Sequence, residues 1–96
     1  VCDDLVRSGW RVLERRLRTP FAEVDLFLED PFGNYFLFEV KAVRAEFFES
    51  GVNVSFAQLQ RLRRACFFLE RRVGRVVLLQ IAAVGRDGSI EYFEPD

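Results

Sequence analysis

Lys41 is the only lysine among fourteen basic side chains; the rest are arginine. It closes the apolar run Tyr35-Phe36-Leu37-Phe38-Glu39-Val40-Lys41, two residues after a glutamate. Alternate residues of a strand share a face, so Glu39 and Lys41 emerge on the same side, one step apart. A carboxylate in that position can hold a divalent cation. An ammonium beside it can position an attacking water or stabilise a developing negative charge. Upstream, Ala22-Glu23-Val24-Asp25-Leu26-Phe27-Leu28 reads as a second strand with acids at alternating positions. The turn cluster Asp30-Pro31-Phe32-Gly33-Asn34 separates the two runs and predicts an antiparallel hairpin. Closing that hairpin brings Asp25, Glu39 and Lys41 to one end of a sheet. Carboxylates a few ångströms apart repel, and a divalent cation relieves the repulsion. The plainer alternative is a strand-end ion pair contributing little.

Histidine is absent, which excludes Ser-His-Asp and Cys-His hydrolases, histidine-based nucleases and most zinc enzymes. Any acid–base or metal chemistry must run on carboxylates, Lys41, tyrosine or water. Cys2 and Cys66 show no paired-ligand spacing and are read as free thiols in a reducing, cytoplasmic compartment. No run is long enough for a membrane span. The 96 residues, half of them apolar and eleven of them phenylalanine, make one domain over 1–96. The opening at Val1, without a methionine, leaves room for a longer parent chain. A net charge of −1 hides segregation: residues 1–20 carry +2, 21–50 carry −5, 51–75 carry +5 and 76–96 carry −3. An acidic centre flanked by arginine segments suits a place where cations and phosphates meet; a solvated mixed-charge surface is the alternative.

Asp3 to Ser8 reads as the end of a helix stopped at Gly9. Trp10 to Arg18 is ambiguous. Val6, Trp10, Leu13 and Leu17 make a helical stripe, whereas a strand reading has imperfect alternation. Residues 42–54 form a polar loop. Ser55 is placed to cap a helix running to Arg72, with Leu59, Leu62, Cys66, Leu69 and Val73 on one face and Gly74 closing it. Phe67 and Phe68 exceed what one face can bury and predict a homodimer contact. Arg75 to Ala83 is a buried strand, and a turn at Arg86–Ser89 leads to a final edge strand over 90–93.

In order along the chain, Gly9-Trp10-Arg11-Val12-Leu13, Ala22-Glu23-Val24-Asp25-Leu26, Leu37-Phe38-Glu39-Val40-Lys41 and Gln58-Leu59-Gln60-Arg61-Leu62 resemble the motifs of the PD-(D/E)XK nucleases. The likeness is nearest to the endonuclease-like UPF0102 family, related to Holliday-junction resolvases, and covers roughly residues 5–82. It implies a restriction-endonuclease-like α/β fold, an α-β-β-β-α-β core with a mixed sheet flanked by helices, and makes 10–18 its first strand. It also implies a magnesium- or manganese-dependent endonuclease. Asp25, Glu39 and the carbonyl of Val40 are then metal ligands, Lys41 the catalytic lysine, Gln58 a residue reaching toward the site, and Glu23 an accessory acid. The partner is nucleic acid, DNA before RNA, with Arg11, Arg15, Arg18, Arg61 and Arg64 as phosphate contacts.

Two departures from the family pattern stand out. Arg16 occupies a position where the family commonly has asparagine. The family's first helix supplies a glutamate that would align before Val1, and Asp3 and Asp4 do not align with it. A second expectation is therefore a catalytically incomplete binding or dimerisation module of the same fold. On the sequence alone, Asp25→Ala and Lys41→Ala are expected to abolish cleavage with little change in the thermal transition.

Overall fold

A computed structural model describes residues 1–43 and 54–95. Most of the loop predicted over 42–54 lies outside the described residues. A short helix α1 (Cys2–Arg7) leads through Gly9 into strands β1 (Arg11–Arg18), β2 (Glu23–Glu29) and β3 (Tyr35–Ala42). The long helix α2 (Phe56–Val73) follows, then β4 (Val77–Val84) and the edge strand β5 (Ile90–Phe93). The five strands form one mixed sheet in sequence order. Only β3 and β4 run parallel, as they must when a helix carries the chain back across the sheet.

Both faces of the sheet are covered. Leu62, Ala65, Cys66 and Leu69 of α2 pack on Leu17, Val24, Phe27, Leu37, Val77 and Leu79. On the opposite face Leu5 of α1 joins Leu26, Leu28 and Phe38, with Trp10 against them. The indole meets the Phe38 ring edge-on, with centroids 5.7 Å apart. Burial on both faces explains the ambiguous segment. Trp10 and Val12 belong to the α1-side core, and Leu13 and Leu17 to the α2-side core. Apart from Val6, which is exposed on α1, the apparent helical stripe is thus the apolar content of a two-faced strand.

The imperfect alternation has two local causes. The register with β2 shifts between Val12 and Glu14, leaving Leu13 as an extra residue. Arg16 then adopts φ 49°, the only non-glycine residue with positive φ among those described. Asparagine tolerates that region better than other non-glycine residues, a physical reason for it at this point. Arg16→Asn is expected to raise stability by up to about 1 kcal/mol. For a domain of this size that is roughly 4–8 °C in Tm, read by thermal denaturation.

α2 begins where Ser55 Oγ accepts the Gln58 N–H at 3.1 Å, as its cap position predicts. It ends at Gly74, left-handed at φ 74°. The Glu70 carboxylate accepts the Val77 N–H at 3.0 Å, tying the end of the helix to the start of β4. Cys2 and Cys66 are both free. No helix among the described residues is long and apolar enough to cross a membrane.

Candidate functional site

β2 and β3 pair from Glu29↔Tyr35 to Leu26↔Phe38 and no further. On its other edge β3 stays paired with β4 as far as Ala42↔Val84. The sheet therefore forks beyond Leu26 and Phe38, and backbone groups facing the fork need other partners. Asp25 supplies one: its Oδ2 accepts the Val40 N–H at 2.8 Å. The carboxylate of one prong is thereby fixed against the backbone of the other.

Glu39 is the buried charged residue among those described, at 8% exposure. Its Oε2 accepts a hydrogen bond from the Gln58 side-chain amide. The same amide, through Oε1, accepts from Lys41 Nζ at 3.0 Å. Lys41 Nζ stands 3.7 Å from Glu39 Oε2 and remains partly open to solvent. The Ser55 cap, by starting α2 where it does, sets Gln58 over the two strand residues. Gln58 bridges the ammonium and the carboxylate because an amide both donates and accepts.

Burial pushes the Glu39 carboxyl up to about 7, reinforced by the neighbouring Asp25 carboxyl and opposed by Lys41. Two acids concentrated in a half-enclosed fork form an oxygen donor set suited to a hard divalent cation. Asp25, Glu39 and the Val40 carbonyl are the groups that would hold it. Among the described residues no cluster of three or more acidic, cysteine or histidine side chains occurs. Asp4 accepts a hydrogen bond from the Tyr92 hydroxyl, and α1 packs on the face away from α2, so neither Asp3 nor Asp4 joins the cluster.

Asp25, Glu39, Lys41 and Gln58 are thus brought together, whereas the other sequence candidates divide. Glu23 is exposed and pairs across from Arg18 at the forked end of the sheet. It makes no side-chain hydrogen bond or ion pair to the four among the described residues. Arg11 lies at the opposite end, opposite Glu29, whose carboxylate its guanidinium meets. Arg15 lines a shallow hollow with Asp3, Val6 and Arg7. Arg11 and Arg18 thus stand at opposite ends of β1, opposite Glu29 and Glu23, rather than side by side. Arg61 and Arg64 are exposed on α2. Two features escaped the sequence reading. The Asp25–Val40 link depends on the strands separating, and Phe21, exposed after Pro20, packs on Phe68 across the fold.

The model of the uncharacterised protein family UPF0102 matches residues 1–83. The chain belongs to the UPF0102 family. It is 35% identical over 85 residues to a UPF0102 protein of Corynebacterium efficiens, covering 88% of this chain and 70% of that protein. A UPF0102 protein of Thermodesulfovibrio yellowstonii is 31% identical over 68 residues, covering 69% of this chain and 59% of that one. Among solved structures, an EndoMS-dsDNA2 complex superposes with a TM-score of 0.52 at 18% identity. The overlap covers 73% of this chain and 26% of that one. At that identity the likeness is one of fold, and the UPF0102 chain has the expected restriction-endonuclease-like α/β architecture.

Proposed function

We propose that this UPF0102 chain is a nuclease-like domain that hydrolyses phosphodiester bonds in nucleic acid, DNA before RNA, with Mg²⁺ or Mn²⁺. The observation that carries the proposal is the fork between β2 and β3. It sets two carboxylates side by side, one of them buried, beside the chain's only lysine. The resemblance to a DNA-bound nuclease-like fold supports the nucleic-acid assignment.

A divalent cation held by Asp25, Glu39 and the Val40 carbonyl would acidify water and neutralise phosphate charge. Lys41, held by Gln58 within reach of Glu39, orients the attacking water and meets the charge that develops on the phosphate oxygens. Gln58 fixes the direction of both charged groups. Arg18, Arg61 and Arg64, exposed on the forked end and on α2, contact the flanking phosphates. Gln58→Ala is expected to lower cleavage about 10- to 100-fold, the usual cost of losing a group that orients a metal ligand. Gln58→Glu, which keeps an acceptor for Lys41 but adds a third negative charge, should not restore it. Single-turnover cleavage rates across a manganese titration would separate lost metal affinity from lost rate.

A second reading has its own observation: only two side-chain acids meet at the fork, with no third among the described residues. It makes the domain a nucleic-acid-binding module without cleavage. The deciding experiment incubates the protein and its Asp25→Asn variant with linear, single-stranded, flapped and four-way DNA in Mn²⁺. Cutting by the parent alone establishes the nuclease. Salt-dependent binding by both without cutting establishes the binding module.

A further inference from the structure

Phe21, Arg64, Phe67, Phe68 and Arg71 line an open hollow of about 370 Å³ beside α2. That is within the roughly 300–1,000 Å³ range of small-ligand sites. Its floor is aromatic: the Phe21 and Phe68 rings meet edge-on with centroids 6.5 Å apart. Phe67 is 65% exposed and Phe21 41%. Among the described residues the hollow's charged groups are both arginines, and no carboxylate lines it.

Its position relative to the fork is set by helical geometry. At about 100° per residue, Arg61, Arg64, Phe68 and Arg71 fall within about 80° of one another on one flank of α2, and Gln58, in its first turn, lies about 60° round from Arg61. Glu70, the acid of α2, projects from the other flank and is bonded to the Val77 N–H. Among the described residues of α2, a cationic strip without acids therefore runs from the fork to the hollow. Gln58 and Phe68 are separated by about 15 Å at 1.5 Å per residue. At 3.4 Å per base along one strand, that is on the order of four nucleotides.

We propose that this hollow is a subsite for an unpaired base of the nucleic acid, stacked on Phe21 and Phe67, with Arg64 and Arg71 on the adjoining phosphates. Exposed aromatic faces flanked by guanidinium groups are the chemistry that holds single strands without reading sequence. A second copy of this chain would also cover phenyl rings. Two arginines at the rim, with no acid beside them among the described residues, favour a polyanion. The assignment rests on the nucleic-acid reading given above and adds the shape of the substrate: a duplex with a single-stranded extension, rather than a blunt one.

The test measures fluorescence anisotropy in EDTA, so that cleavage plays no part. A blunt duplex and the same duplex with an eight-nucleotide thymidine tail are compared on the parent and on Phe21→Ala, Phe67→Ala and Phe67→Trp. The parent is expected to prefer the tailed duplex. Each alanine variant should weaken tailed binding about tenfold while leaving blunt binding within twofold, and Phe67→Trp should retain the preference. Both alanine sites are exposed enough for the fold to persist, and Tm verifies this. Blunt binding without a tail preference, or equal weakening of both duplexes, overturns the subsite and leaves the nucleic-acid reading intact. No binding to either duplex overturns that reading and the subsite with it. A parent dimer in sedimentation that the alanine variants split, with tailed binding unchanged, assigns the hollow to a second copy and overturns the subsite.

Discussion

Lys41→Ala is expected to reduce single-turnover cleavage about 10²–10³-fold, the usual cost of removing one group preorganised toward a developing charge. Its thermal transition should stay close to the parent's, because among the described residues Lys41 Nζ bonds to Gln58 and Glu39 alone and is partly solvated. Asp25 behaves differently, and here the geometry corrects the expectation of an unchanged transition. Asp25→Ala leaves the Val40 N–H without its acceptor, at a cost of about 1–3 kcal/mol. Asp25→Asn keeps an oxygen for that N–H and removes the charge. Both Asp25 variants should lose cleavage, while Tm falls only in Asp25→Ala. Rates and melting curves on the three proteins check the argument. Full cleavage in Asp25→Asn would sink the metal-ligand role.

The second large effect is on stability as a function of pH and divalent cation. In metal-free protein the Glu39 carboxyl, ordinarily at 4.5, is raised to about 7 by burial and by Asp25. The folded state therefore holds a proton that the unfolded chain has already released. Stability from this group is fully present below about pH 4.5 and is lost as pH rises through about 7. Adding Mn²⁺ at pH 8 should reverse the loss by replacing the proton with a cation between the carboxylates. At a hundredfold excess over Kd the gain is about 2.7 kcal/mol, on the order of 10 °C or more in Tm. Glu39→Gln should flatten the EDTA profile across this window and respond little to Mn²⁺. Calorimetry of both proteins in EDTA and in Mn²⁺, from pH 5 to 8, reads both effects. An unchanged parent Tm on adding Mn²⁺ would count against a cation site at the fork.

Much of this fold is written in local patterns. The Asp30–Asn34 turn forces the hairpin, with Asp30 accepting the backbone N–H groups of Phe32 and Asn34. Ser55 and Gly74 bound α2 because a hydroxyl cap and a left-handed glycine satisfy helix ends from within a few residues. In the apolar strand ending at Lys41, alternate side chains share a face, which puts Glu39 and Lys41 together. From these, the hairpin, the long helix and the nearness of Asp25 to Glu39 and Lys41 all follow. The segment 10–18 did not follow from periodicity. A strand buried on both faces, with an extra residue at Leu13 and a left-handed Arg16, loses the alternation that marks a strand.

The sequence by itself determined the candidate site residues and the hairpin that brings them near, since both depend on neighbours in the chain. Only the tertiary structure decided three further matters. β2 and β3 separate after Leu26 and Phe38, so Asp25 bonds to the Val40 backbone. Gln58 spans Glu39 and Lys41 because α2 crosses at that height. Phe21 meets Phe68 beside Arg64 and Arg71 although 47 positions separate the two rings. Each of these contacts joins groups far apart in the chain. Their approach is set by how helix and sheet pack, a property that no local window of sequence contains.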